Sequence, residues 1–231
     1  VAHCLPKTAW PPTSCVYLGI KTGTKPEEMI DALQTAQNGG KPFPAEKFVN
    51  KIPVKKHDHV LIPAGTVHCS GADTMVLEIS ATPYIFTFKL WDWGRVDLDG
   101  KPRPIHLEHG AANIQWYRNT EWVHKNLINA VAEVYSDENG TVVRTGLHER
   151  EFLDTFRFTT SSALPVHRNG SVHMLNLVDG TRAVLRSKSD AFPPLELHYA
   201  ETCIVPQAAG DYEIYSPDGS EVKVILACVR N

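Results

Sequence analysis

The 231-residue sequence lacks clustered basic charge, long apolar runs and closely spaced cysteine pairs. Lys and Arg number 23 against 26 Asp and Glu, for a net charge of −3. The sequence therefore contains no basic cluster that could bind a nucleic-acid backbone. No apolar run approaches the roughly 20 residues of a membrane helix. These absences argue against nucleic-acid or membrane binding. No feature predicts an oligomeric state.

The cysteines are few and scattered, and none forms a C-x-x-C pair. An odd number of cysteines at irregular spacing is typical of free thiols in a reducing compartment. The first residues show no basic segment followed by an apolar stretch, so no secretion signal is predicted. We therefore expect a cytoplasmic protein whose thiols are free at all five positions: Cys4, Cys15, Cys69, Cys203 and Cys228.

The first third of the chain carries the clearest helix pattern. A capping box of Thr24 and Glu27 precedes a periodic apolar face, and Gly39 and Gly40 end the predicted helix. A second short helix is predicted at 45–50, and the segment 107–129 fits either a helix or a connecting strand. Segments rich in β-branched and aromatic residues predict strands at 15–20, 59–62, 74–80 and 84–91.

The last third of the chain consists of short strand-like segments separated by turn signals. Asp179-Gly180 and Asp218-Gly219 predict hairpins, and a polar turn at 137–140, between two strand-rich halves, predicts a boundary there. Regularly spaced short strands predict a sandwich or barrel. A weak echo between 60–65 and 202–210 suggests two copies of one barrel. The predicted strands are 152–158, 171–178, 182–186, 201–205, 212–215 and 222–229.

The segment 58–68, Asp-His-Val-Leu-Ile-Pro-Ala-Gly-Thr-Val-His, carries the sharpest chemical signal. Pro63 and Gly65 would turn the chain between two strands so that His68 points into a barrel. A neutral imidazole in that position can bind a metal. The alternative is that His68 is a hydrogen-bonded core residue. The preceding His57 and His59 have metal-pair spacing, but their setting beside Lys55 and Lys56 favours solvated surface.

Further motifs follow in order along the chain. Glu78 stands in Met-Val-Leu-Glu-Ile-Ser, 87–95 reads Thr-Phe-Lys-Leu-Trp-Asp-Trp-Gly-Arg, and 99–106 reads Asp-Gly-Lys-Pro-Arg-Pro-Ile-His. Together with the Pro-x-Gly-x-x-His segment, this ordered set resembles the class I mannose-6-phosphate isomerases, which are cupin proteins. The resemblance is strong over 16–112 and only architectural beyond 130.

The resemblance implies a mainly β fold of two cupin-like (jelly-roll) β-barrels with a small helical insertion near the N-terminus. We expect a partial, metal-bearing cupin domain at 1–130, which includes the helices. A second cupin-like domain at 131–231 would hold no metal. Its histidines, His167, His173 and His198, are scattered and favour core or surface positions.

The resemblance also implies an activity. The expected enzyme is a zinc-dependent aldose–ketose isomerase that interconverts mannose 6-phosphate and fructose 6-phosphate by metal-assisted proton transfer. His68 matches a zinc ligand, Glu78 an active-site carboxylate, and Lys89 and Arg95 two basic active-site positions. Such chemistry needs a base, an electrophile for the carbonyl oxygen and cations for the phosphate. Otherwise Glu78 is a structural ion-pair partner, and Lys89 and Arg95 are surface residues.

Three departures from the family pattern bear on this expectation. Lys89 replaces the usual Arg, and the Gln-x-His pair and Glu that supply further zinc ligands are absent upstream of His68. A catalytic zinc site usually has three protein ligands. Either the chain begins after the missing strands, which the Met-less start favours, or it is a degenerate homologue. The alternative function is a non-catalytic cupin module, sugar-binding or part of an assembly. A cupin oxygenase would need more histidine ligands.

Overall fold

The computed structural model describes residues 14–80, 87–101, 103–145, 148–149 and 151–230. The fold is mainly β, as predicted, and its described residues form two compact units. The boundary between the units falls between Ile128 and Asn129. The four cysteines at described positions are free, in agreement with the prediction. No helix within the described ranges is long and apolar enough to cross a membrane.

The described residues of the first unit form a three-stranded antiparallel sheet with four short helices around it. Strand β1 lies between β2 and β3, and alternate β1 residues point to opposite faces. Tyr17 belongs to a core that includes the α1 residues Met29 and Leu33, whereas Leu18 packs with Val123 on the other face. The elements are β1 (Cys15–Ile20), α1 (Pro26–Gln37), α2 (Ala45–Phe48), β2 (Val49–Pro53), β3 (His68–Ser70), α3 (Leu107–Asn113) and α4 (Thr120–Asn126).

The helix predictions are confirmed in outline and corrected in detail. The N-cap of α1 is Lys25, without a side-chain cap bond, and Thr24 Oγ1 instead donates to Phe48 O, so the capping box is wrong. Helix α2 ends at Phe48, and the rest of that predicted helix forms β2. The buried Val49 and Ile52 of β2 belong to the two apolar cores of the first unit, and this burial overrides local helix propensity. The ambiguous segment 107–129 contains two helices, α3 and α4.

Three predicted strands are not found at the described residues of 59–62, 74–80 and 87–91; residues 84–86 lie outside the description. A β-prone segment becomes a strand only where a neighbouring edge can receive its backbone hydrogen bonds. Here both edges of β1 are occupied by β2 and β3. The backbone of Lys89 instead pairs with His106, and the amide of Leu61 donates to Leu127 O.

The second unit is a sandwich of a six-stranded and a four-stranded antiparallel sheet. The six-stranded order is β11-β8-β13-β6-β5-β4, and the four-stranded order is β10-β9-β12-β7. Their inner faces share one core, in which Leu175, Leu185 and Tyr212 are fully buried. The strands are β4 (Ala132–Asp137), β5 (Gly140–Arg144), β6 (Leu153–Thr160), β7 (Ala163–Val166), β8 (His173–Asp179), β9 (Arg182–Ser187), β10 (Leu195–His198), β11 (Thr202–Val205), β12 (Tyr212–Tyr215) and β13 (Val222–Val229).

The turns of the second unit have different roles from those predicted. Asp179-Gly180 connects β8 to β9, and Asp218-Gly219 connects β12 to β13. Each pair of strands is divided between the two sheets, so neither turn closes a hairpin. The polar turn at 137–140 is the hairpin, joining β4 to β5. The Asp137 carboxylate accepts from the amides of Asn139 and Gly140 at 2.8 and 3.1 Å.

Candidate functional site

The Pro63–His68 segment forms a tight turn that leads into β3. Gly65 has a φ of +81°, a left-handed conformation that favours glycine. A β-carbon at this position would lie 2.5 Å from Asn113 O, so the site also requires the absence of a side chain. Thr66 Oγ1 donates to Pro63 O at 2.7 Å, and Gln115 N donates to Gly65 O at 2.9 Å. The turn is therefore fixed by the backbone at the end of α3 and in the connection between α3 and α4.

A buried arginine, Arg118, holds the same turn. Its Nη1 donates to Pro63 O at 2.9 Å, to Ala64 O at 2.7 Å and to Thr66 Oγ1. The side chain is 8% exposed, and the guanidinium lies 5.3 Å from the ring centre of Trp122, a cation–π contact. The sequence analysis missed Arg118, because a lone arginine 50 residues after the turn carries no motif that links the two.

His68 lies on β3 with one ring nitrogen engaged and the other available. Its Nδ1 is 2.9 Å from Thr66 O, and because a carbonyl only accepts, Nδ1 carries the proton. In the neutral tautomer that this contact selects, Nε2 keeps its lone pair, which is the state that binds a metal. His68 pairs in register with Leu18, so it lies on the β1 face opposite Tyr17. The side chain is exposed.

A complete metal site is not formed within the part of the chain that the structure describes. No group of three or more His, Cys, Asp or Glu side chains there could hold an ion. His68 supplies one donor of suitable chemistry, whereas a catalytic zinc usually has three protein ligands. The described residues therefore do not fit a zinc centre by themselves.

Two of the predicted basic residues meet at one carboxylate, in what we call the Asp92 cluster (Lys89, Asp92, Arg95, Asp97 and Arg103). The Asp92 carboxylate lies 3.4 Å from Lys89 Nζ, 3.5 Å from Arg103 Nη1 and 4.0 Å from Arg95 Nη1. Arg103 Nε also lies 3.1 Å from Asp97 Oδ1. Three cations and two carboxylates leave one positive charge in excess. The Asp92 side chain is 14% exposed and the Arg95 side chain 66% exposed, so the cations face solvent around a sheltered anion.

Aromatic contacts place this segment against the first unit's sheet. The ring centre of Trp93 lies 5.4 Å from that of Tyr17 on β1, and Trp91 lies 6.4 Å from Phe43. Trp93 has a φ of +54°, an uncommon conformation for a side chain of that size. Because Tyr17 and His68 belong to opposite faces of the sheet, the Asp92 cluster and the His68 imidazole are not brought together by β1.

The remaining predicted site residue, Glu78, is exposed and lies outside regular secondary structure. The structure thus brings Lys89 and Arg95 together at Asp92. Sequence reasoning missed Asp92 and Arg103 as partners, although both stand in the quoted motifs. A carboxylate between two cations in an otherwise apolar segment was the available signal.

Comparison with known proteins gives a consistent result. No family model matches the chain. The chain is 35% identical over 63 residues to the mannose-6-phosphate isomerase of Streptococcus mutans, covering 27% of this chain and 20% of that protein. It is 22% identical over 135 residues to the mannose-6-phosphate isomerase ManA of Bacillus subtilis, covering 58% and 40% respectively.

The fold is similar to that of a solved structure as well. The crystal structure of the Bacillus subtilis mannose 6-phosphate isomerase superposes with a TM-score of 0.64 and 14% identity, covering 94% of this chain and 61% of that chain. The resemblance to mannose-6-phosphate isomerases noted in the sequence and the predicted mainly β fold are thereby confirmed. The chain spans less than half the length of the curated relatives it matches.

Proposed function

We propose that this chain provides active-site residues of an aldose–ketose isomerase that interconverts mannose 6-phosphate and fructose 6-phosphate. The observation that carries the proposal is the Asp92 cluster, where Lys89 and Arg95 converge within a motif shared with the isomerases. The names of the curated relatives support the same reaction class.

The Asp92 cluster has the charge that a sugar phosphate requires. A phosphate monoester carries close to two negative charges at neutral pH and binds guanidinium groups through paired hydrogen bonds. Arg95 and Arg103 offer that geometry, whereas Lys89 contributes a point charge. Asp92 fixes the three cations in one place before the substrate arrives. We therefore assign phosphate recognition and charge stabilisation to these residues.

Glu78 is assigned the proton transfer. Interconversion of an aldose and a ketose moves a proton between C1 and C2 through an enediol, and a carboxylate within reach can serve as the base. The resemblance implies zinc as the metal, and His68 Nε2 is the ligand that the described residues offer it. The steps assigned to Glu78, Lys89 and Arg95 do not depend on where the other ligands originate.

The test is a coupled assay of fructose 6-phosphate formation from mannose 6-phosphate, with zinc supplied. We expect Glu78→Gln to lower kcat by about 100-fold or more, the typical contribution of a positioned base. Lys89→Ala should raise KM, and Lys89→Arg should restore it. Lys101→Ala is the matched control, because Lys101 is exposed and pairs with Asp99, outside the cluster. No turnover by the wild type, or full activity of Glu78→Gln, would contradict the proposal.

A non-catalytic cupin module that binds sugars is the second candidate. It is favoured by the finding that no three metal-binding side chains converge among the described residues. The zinc content of the purified chain and of a His68→Ala variant discriminates the two functions. Stoichiometric zinc that disappears in the variant supports the enzyme, whereas mannose 6-phosphate binding without zinc or turnover supports the module.

A further inference from the structure

The loop that carries the Asp92 cluster is closed at its base by His106, a residue to which the proposed function assigns no role. His106 is exposed and is the last residue of the 99–106 motif. Its backbone amide donates to Lys89 O at 2.7 Å, and Lys89 N donates to His106 Nδ1 at 3.2 Å. One residue thus binds both backbone polar groups of Lys89. The members of the Asp92 cluster all lie within the segment 89–106.

Further main-chain bonds hold this loop beyond its base. Arg103 N donates to Arg95 O at 3.3 Å, and at the tip Asp97 N donates to Lys101 O at 2.8 Å. The two arms of the loop are therefore joined at the base, in the middle and at the tip. The bond at the base to the His106 imidazole uses a side chain, so a substitution can remove it without a change to the backbone.

The segment that enters the loop is packed on helix α3, whose N-cap is His106. The ring centre of Phe88 lies 6.4 Å from that of His106, in an edge contact. A β-carbon at the buried Gly110 would lie 2.5 Å from Leu90 Cδ2 and 3.5 Å from Phe88 Cβ, so α3 approaches this segment closely. Phe88 and Leu90 both meet α3 in this way, and the side chain of Lys89 between them joins the Asp92 cluster.

The bond from Lys89 also selects the chemical state of the His106 imidazole. A backbone N–H can only donate, so Nδ1 accepts with its lone pair, and the neutral ring carries its proton on Nε2. His68 has the opposite tautomer, with its proton on Nδ1 and the lone pair of Nε2 available. The two imidazoles of the first unit are therefore set up for different roles, and that of His106 is directed at the backbone of Lys89.

We propose that His106 is a positioning residue, which fixes the backbone of Lys89 so that the ammonium group lies in the Asp92 cluster before a phosphate arrives. The ion pair alone positions Lys89 weakly, because its 3.4 Å contact holds a flexible side chain that is 37% exposed. Placement matters, since a displacement of about 1 Å can lower a rate about 100-fold. The assignment rests on the proposed role of Lys89 in phosphate recognition.

The test is a double-mutant cycle on the KM for mannose 6-phosphate, measured in the coupled assay. His106→Leu should raise KM about tenfold and change kcat by less than about threefold, because it displaces Lys89 and not the base Glu78. In the Lys89→Ala background the same substitution should change KM by less than about twofold, since a residue that acts through another is not additive with it. Equal effects in both backgrounds would overturn the proposal.

Two single variants serve as the comparison. His106→Asn keeps a side-chain oxygen that can accept from Lys89 N, so its KM should stay within about threefold of the wild type. His124→Leu is the matched control, because His124 is an exposed histidine of α4, outside the segment 89–106; its KM should change by less than about twofold. A KM for His106→Asn as high as that for His106→Leu would count against the assignment.

Amide hydrogen exchange, followed by NMR, separates this proposal from the proposed function. The Lys89 amide should exchange at least about tenfold faster in His106→Leu than in the wild type, because its protection depends on the bond to Nδ1. Urea midpoints from tryptophan fluorescence establish that both proteins are folded. An unchanged exchange rate would overturn the positioning role, whatever the activity. Faster exchange together with a wild type that shows no turnover would contradict the isomerase function and support the positioning of Lys89.

Discussion

The two units differ in how they use a histidine, as the burial and hydrogen bonds of His68 and His173 illustrate. His68 is exposed and uses one ring nitrogen on a backbone carbonyl, which leaves Nε2 for a ligand. His173 is buried, uses both nitrogens and stays neutral because burial lowers its pKa to about 4. Both stand at the first position of a strand, His68 in β3 and His173 in β8. In the second unit both ring nitrogens of His173 are thus used in internal hydrogen bonds that stabilise the fold. In the first unit one ring nitrogen of His68 remains for chemistry.

The same contrast holds for the cations. In the second unit Arg144 binds Asp154 through two bonds of 2.7 and 3.0 Å, a closed bidentate pair. In the first unit three cations surround Asp92 at longer distances and remain accessible.

All five tryptophans precede Asn129, so tryptophan fluorescence follows unfolding of the first unit alone. Each unit can therefore be tested separately.

The largest expected effect on stability is that of replacing Arg118. Unlike the accessible cations of the Asp92 cluster, Arg118 is a buried charge of the first unit with a structural role. Arg118→Met would leave Pro63 O, Ala64 O and Thr66 Oγ1 without their shared donor, at a cost of about 4 kcal/mol in unfolding free energy. Urea unfolding followed by tryptophan fluorescence measures it. Arg118→Lys should recover part of the loss, because all three bonds come from one nitrogen. Equal stability of wild type and Arg118→Met would contradict the assignment.

The next effect is a pH dependence confined to the second unit. In the unfolded chain His173 titrates near its ordinary pKa of 6.5, and in the folded state near 4, so the unfolded state binds more protons between these values. Stability should be unaffected by this group above pH 6.5 and fall by up to about 3 kcal/mol as the pH drops to 4. Peptide-resolved hydrogen exchange of β8 and β13 follows it. His173→Gln, which cannot titrate, should flatten the profile; an unchanged slope would count against His173.

A smaller effect separates the two Asp-Gly connections. Gly180 and Gly219 both have positive φ, +87° and +73°, but a β-carbon would meet Val222 Cγ1 at 2.8 Å at Gly180 and no atom within 4 Å at Gly219. Gly180→Ala should destabilise the second unit by about 2–3 kcal/mol and Gly219→Ala by about 1 kcal/mol. Thermal unfolding monitored by far-UV circular dichroism compares them. Equal shifts in Tm would mean that steric contact with β13 does not matter.

The smallest effect is expected where the chemistry is proposed. Asp92→Asn should change the unfolding free energy of the first unit by less than about 1 kcal/mol, because the three cations around Asp92 face solvent and pairs with such cations contribute little. The measurement is the urea midpoint from tryptophan fluorescence at low and high salt. A loss comparable to that of Arg118→Met would show that the Asp92 cluster serves folding rather than ligand binding.

The predictions from sequence succeeded where local pattern determines structure. Strands β12 and β13 have the predicted bounds because apolar alternation and β-branched residues coincide there with a pairing partner on each side. The Asp-Gly turns were misread because a turn specifies a chain reversal and not the sheet that the next strand joins. The segment 74–80 has strand composition, but it acquires no strand partner in the structure.

For the candidate site, the sequence predicted individual residues but not the contacts between them. Lys89 and Arg95 were selected by their motif, and their meeting at Asp92 depends on an irregular segment held by Trp91 and Trp93. That arrangement has no sequence period. The contact between Arg118 and the Pro63–Gly65 turn bridges more than 50 residues and is fixed by helix packing, which one sequence does not encode in any short pattern.

Strand β13 occupies the middle of its sheet, between β8 and β6, although it is the last strand described. Its partner residue for Val222 is Thr160, about 60 positions earlier in the chain. At a synthesis rate of about 5–20 residues per second, roughly 3–12 seconds pass between the synthesis of β6 and that of its partner β13. For that interval the ladder of β4, β5 and β6 and the strand β8 present unpaired edges inside the cell. Until β13 is synthesised, these exposed edges can pair with other chains.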